Sequence, residues 1–99
     1  MTDVDGYLAK VRDFMATQSY LVNVDLKALE IAQRRDEVGI GSLTVIVLVT
    51  HYLEANGLSS SAFKAEWVPR LDDVRGIVSV FREIDMELTR ASASDRGVT

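Results

Sequence analysis

The sequence predicts an all-α protein, a four-helix bundle of three long helices plus one short, with a long first loop. Three observations predict it. Ninety-nine residues, 47% hydrophobic and 26% charged, have the composition and length of one globular domain with a single core. Apolar residues recur at helical spacing near both ends, at Val4, Tyr7, Leu8, Val11, Phe14 and Met15 and again at Val74, Ile77, Val78, Phe81, Ile84 and Leu88. The mostly β-branched run at 45–49 has the makeup of a buried strand, yet nothing else in the chain alternates as a β partner. A lone strand leaves its backbone groups unpaired, so tertiary context makes this run helical against its propensity.

In chain order, the first helix starts from Thr2 or Asp3, either able to cap it. The segment that follows is weakly periodic. It holds a short helical piece after Asp25 and supplies Leu21, Val24, Leu26 and Leu29 to the core. The second helix opens at Ser42 and stops at Gly57, a residue suited to the left-handed turn after a helix. Residues 59–69 read as a capped short turn or helix in which Phe63 and Trp67 reach inward and Pro69 ends the element. The last helix begins at Asp72 or Asp73, best read as a cap and not as a metal site. Beyond Arg90 the chain is small, polar and aperiodic, so the helical domain is placed at 1–90 and a flexible tail at 91–99.

Composition excludes several functions. Without cysteine the chain has no disulfide, cysteine zinc site or thiol nucleophile, so any sulfur chemistry belongs to a cofactor. Net charge is −4, and the eleven basic residues are scattered without aromatic interleaving, against nucleic-acid binding. The uncharged stretch 38–53 is too short and too interrupted by Thr44, Thr50, His51 and glycine to span a membrane. The acidic N-terminus lacks the pattern of a secretory signal, and the expected location is the cytoplasm.

Ser42 is the residue that asks for a function. As a helix N-cap its hydroxyl would accept from a backbone N–H two or three residues on. The same free N–H groups also welcome a phosphate, so a serine there suits a phosphodiester.

The stretch "VGIGSLTVIVLVTHYLEANGL", followed by "LDDVRGIVSVFREI", resembles the acyl carrier protein family, in which a glycine-x-aspartate-serine-leucine motif opens the second helix. Gly39, Ser42 and Leu43 match that motif, Ile46, Leu48 and Val49 match later apolar positions, and Asp72 or Asp73 with Val74 match the start of the last helix. The resemblance covers roughly residues 4 to 88 in element order. It implies an acyl-carrier-like bundle in which Ser42, flanked by Gly41 and Leu43, is esterified with 4′-phosphopantetheine from coenzyme A by a phosphopantetheinyl transferase. The arm's thiol would carry an acyl, ketide or aminoacyl group as a thioester for acyl-loading, condensing or tailoring enzymes of fatty-acid, polyketide or related biosynthesis. The protein itself would be a non-catalytic monomer.

The chain departs from the family at two places. Gly41 stands where the family has an aspartate that helps the transferase recognise its target. Val47 stands where an acidic residue is common, and Glu54 is the single carboxylate on the outer side of the helix. At about 100° per residue, Val45, Ile46, Val49, Tyr52 and Leu53 share the inner side, and Leu43, Thr44, Val47, Thr50, His51 and Glu54 lie on or near the outer one. Leu43, Thr44, Val47, His51 and Glu54 are therefore the expected docking residues, forming a face more apolar than electrostatic. A bundle that has lost modification and binds proteins through Leu43 and Val47 is the alternative that Gly41 keeps open.

Other residues support plainer readings. His51 has no second ligand at Ala55, and it lies about 13 Å along the helix from Ser42, too far to act as its base. The "GIGS" segment lacks the Gly-Lys-Ser/Thr of a phosphate loop. Trp67, Phe63 and Tyr52 are core residues that can also line a pocket for a bound acyl chain.

Overall fold

The computed structural model describes residues 3–21 and 24–98, with side chains over 6–21 and 24–90. Three α-helices, α1 (Asp3–Ala16), α2 (Ser42–Ala55) and α3 (Val74–Val98), pack with a 3-10 helix over Ala65–Asp72, and single 3-10 turns punctuate the loops. The all-α bundle is as the sequence predicts. No described helix is long and apolar enough to cross a membrane.

The helical periodicities become one core. Val11 and Met15 of α1, Val45, Leu48, Val49, Tyr52 and Leu53 of α2, and Val74, Ile77, Val78, Phe81 and Ile84 of α3 are all buried. Leu21, Leu29 and Ile40 plug it from the first loop, and Trp67 and Leu71 from the 3-10 helix. Phe14, Tyr52 and Phe81 meet ring to ring at its centre, with Tyr52 stacked on Phe81 at 4.2 Å between centroids. Within the strand-like string, now helical, Val45, Leu48 and Val49 are buried in this shared core.

Helix ends follow side-chain chemistry. α2 stops in a Schellman arrangement in which the Leu58 N–H donates to the Leu53 carbonyl at 2.9 Å and the Gly57 N–H to Glu54 at 3.1 Å. Gly57 has φ +80°, the left-handed conformation glycine adopts without penalty. At the start of α3, Asp73 is the cap: its Oδ1 accepts from the Gly76 N–H at 2.7 Å. Asp72 instead joins its backbone to the first loop.

Three boundaries differ from expectation. Ser42 is the first residue of α2, and Gly41 is the N-cap, its carbonyl accepting the first helical bond from Val45 at 3.0 Å. Pro69 lies inside the 3-10 helix and does not end it, since its fixed φ suits that helix and its missing N–H falls at an exposed position. α3 continues to Val98, past Arg90 where the loss of apolar periodicity predicts its end, through an alanine- and serine-containing stretch with no breaker before Gly97. Asp3 is already helical, and the alternative cap, Thr2, lies outside the described residues.

Candidate functional site

The first loop delivers Ser42 through a short chain of fixed points. A 3-10 turn at Asp36–Val38 ends at Gly39, whose φ of +85° reverses the chain. The next residue, Ile40, is 1% exposed and anchors the loop in the core. Arg35 holds the same point from outside the core: its Nη1 donates to the Ile40 carbonyl at 3.0 Å, and its own carbonyl accepts from the Ile40 N–H at 3.1 Å. The Arg35 N–H donates to the Asp72 carbonyl at 2.8 Å and the Val74 N–H to Gln33 at 2.9 Å, so this loop is stitched to the start of α3. With Ile40 pinned, Gly41, Ser42 and Leu43 emerge onto the surface together.

At that point the geometry favours an anion. No side chain caps the N-terminus of α2, and its first turn carries no acidic residue. The serine hydroxyl stands beside backbone N–H groups at the positive end of the helix dipole. Gly41 has φ −70° and ψ 162°, a conformation open to any residue, and a Cβ there would make only ordinary contact with Thr44 Oγ1 at 3.5 Å. Nothing in the backbone therefore requires glycine before the serine.

The outer side of α2 is apolar where it is most exposed. Leu43 is 77% and Val47 40% exposed. Glu54 is also exposed, and Thr44, Thr50 and His51 are half-buried. Thr50 turns its hydroxyl back to the Ile46 carbonyl at 2.9 Å. His51 is drawn toward the first loop, with Nδ1 3.2 Å from Gln18 Oε1 and its ring edge-on to Tyr20 at 5.4 Å. Gln18 and Tyr20 border this face, and no spacing in the sequence links them to it. The histidine is committed to these neighbours and does not face Ser42.

A second feature opens between α2, the 3-10 segments and α3. Leu53, Leu58, Ala62, Trp67, Ile84 and Leu88 enclose a cleft of about 120 Å³. Two partly exposed groups, Lys64 and Glu87, also line it, and the Lys64 Nζ donates to Glu87 at 2.8 Å. That bond holds the Lys64 ammonium above and the Glu87 carboxyl below their usual ranges. Of the three aromatic residues suggested for an acyl pocket, Trp67 alone lines this cleft. Phe63 packs edge-on against Trp67 at 5.5 Å, and Tyr52 is committed to the ring cluster and to Asp85.

Among the described residues no group of histidine and carboxylate side chains is placed to hold a metal ion. Compared with known protein families, with curated proteins and with solved structures, the chain matches none of them.

Proposed function

We propose that the chain is a carrier protein that bears 4′-phosphopantetheine on Ser42 and presents acyl, ketide or aminoacyl thioesters to partner enzymes. The observation that carries the reading is the presentation of Ser42: exposed at the first position of a helix with no side-chain cap, two residues after Ile40, which is pinned by the core and by Arg35. A phosphodiester on that oxygen would meet free backbone N–H groups and the helix dipole. The arm would supply the thiol that this cysteine-free chain lacks. Attachment, by a separate transferase, joins Ser42 Oγ to the pantetheine phosphate of coenzyme A. The hydroxyl proton is lost and adenosine 3′,5′-bisphosphate leaves.

The deciding experiment is intact mass after incubation with coenzyme A, magnesium and a broad-specificity phosphopantetheinyl transferase, with Ser42→Ala alongside. The expected result is a gain of one phosphopantetheine in the parent and none in the variant. No gain with several transferases would overturn the carrier reading. It would leave the second one, an unmodified adaptor that binds proteins through Leu43 and Val47, which the exposure of those two side chains favours.

A further inference from the structure

Arg35 binds both main-chain polar groups of one buried residue, Ile40: its carbonyl accepts from the Ile40 N–H at 3.1 Å, and its guanidinium Nη1 donates to the Ile40 carbonyl at 3.0 Å. Arg35 is itself held at the start of α3. Its N–H donates to the Asp72 carbonyl at 2.8 Å, its Nη2 lies 3.7 Å from Asp72 Oδ1, and its side chain is 18% exposed. The Ile40 carbonyl and the Gly41 N–H belong to one planar peptide unit, so the guanidinium fixes the orientation of the peptide that leads into Gly41. On the far side, the Gly41 carbonyl accepts from the Val45 N–H at 3.0 Å, the bond that closes the first turn of α2 around Ser42. Only the two dihedral angles of Gly41 lie between these two bonds, and glycine is the residue that restricts them least.

Resting on the carrier reading, we infer that Arg35 is a positioning residue for the modification of Ser42: its bond to the Ile40 carbonyl keeps Gly41 in the conformation that closes the first turn of α2 and so presents the serine. A carbonyl that loses its donor turns toward water for another, and the rigid peptide plane carries the Gly41 N–H with it. Gly41 sits at φ −70° and ψ 162°, where any residue fits, but a glycine has left-handed alternatives of similar energy that open this turn. The guanidinium removes them. Arg35 acts on Ser42 through Ile40 and Gly41, and a nucleophile held in one geometry for part of the time reacts in proportion to that part.

The test is a double-mutant cycle between Arg35 and Gly41. Arg35→Met keeps the length and the apolar stem of the side chain and removes its donors. Gly41→Ala restricts the backbone without adding a carboxylate, and the added Cβ would make only ordinary contact with Thr44 Oγ1 at 3.5 Å. The transferase kcat/KM is measured with coenzyme A and magnesium on the parent, the two single variants and the double variant, all shown by thermal melts to be folded at the assay temperature. Arg35→Met is expected to lower the rate about three- to tenfold in the parent, the population that one net hydrogen bond supports, and about twofold or less in the Gly41→Ala background. Equal losses in both backgrounds overturn the inference, because Arg35 would then not act through Gly41, and so does no loss in either. Backbone order parameters of the unmodified parent give a reading that needs neither the transferase nor the methionine variant: values near 0.85 are expected at Gly41 and Ser42, and values below about 0.6 overturn the inference even should Arg35→Met fail to fold. A parent that is rigid there and gains no mass fails instead at the carrier reading, which takes the inference with it.

Discussion

Ser42 and Gly41 are neighbours whose substitutions report on different things. Ser42 is exposed and contributes no cap, so Ser42→Ala is expected to change unfolding free energy by less than about 0.5 kcal/mol while removing the modified mass. Chemical denaturation run beside the mass measurement checks both halves. Gly41→Asp should act in the opposite sense on both. The backbone there accepts an aspartate, whose carboxylate would cap the free N–H groups of α2 and sit at the positive end of its dipole. A gain of a few tenths to about 1 kcal/mol is expected, with faster phosphopantetheinylation if the missing carboxylate is what the transferase reads. An unchanged rate in the stabilised variant would remove Gly41 as a brake on modification. The sequence placed Ser42 at a helix start correctly but gave it the cap, because glycine and serine are both acceptable caps and a one-residue shift leaves the pattern of α2 intact.

The elements were legible in proportion to how much of their stability comes from a buried stripe. α1, α2 and α3 each bury an apolar side chain every three or four residues, and that periodicity survives even the β-branched composition of α2. The 3-10 segment Ala65–Asp72 has no such guide: its two buried anchors, Trp67 and Leu71, fit several backbone paths, and Pro69 reads as a stop. The cleft was only half legible for a related reason, since Tyr52 and Phe63 share the helical spacing of lining residues but spend their faces on other rings. Nor does any motif announce how closely α3 approaches the 3-10 helix. A Cβ on Gly76 would overlap the carbonyl of Arg70. Gly76→Ala is therefore expected to destabilise by about 1–3 kcal/mol, although the same change in an open helix would stabilise by nearly 1 kcal/mol. Asp73→Ala, which removes only the cap, should cost about 1 kcal/mol. Thermal melts of the two variants give the ordering, and a stabilised Gly76→Ala would show that the contact relaxes without cost.

Across the whole molecule, α1, α2 and α3 are tied at one polar point. Asp85 of α3 accepts from the Tyr52 hydroxyl of α2 and from the Lys10 ammonium of α1, each at 2.5 Å. Tyr52 is 5% exposed, and burial first, then the bond to Asp85, push its phenol up to about 12. Tyr7 and Lys10, which face the same carboxylate, are raised as well, Tyr7 mainly by burial and Lys10 mainly by its bond to Asp85. A group that holds its proton more tightly when folded stabilises the fold fully below its unfolded pKa, near 10 for tyrosine, and loses that contribution as pH rises through the folded value. Stability is thus expected to fall between about pH 10 and pH 12, as the buried phenolate is forced toward Asp85. Tyr52→Phe should cost about 1–2 kcal/mol at neutral pH by leaving Asp85 short of a donor, and should flatten the alkaline decline because the largest shift is gone. Urea unfolding of the parent and the variant at intervals from pH 8 to pH 12 measures both effects. A decline of equal slope in the two proteins would move the alkaline sensitivity from the Tyr52 junction to Tyr7 and the lysines.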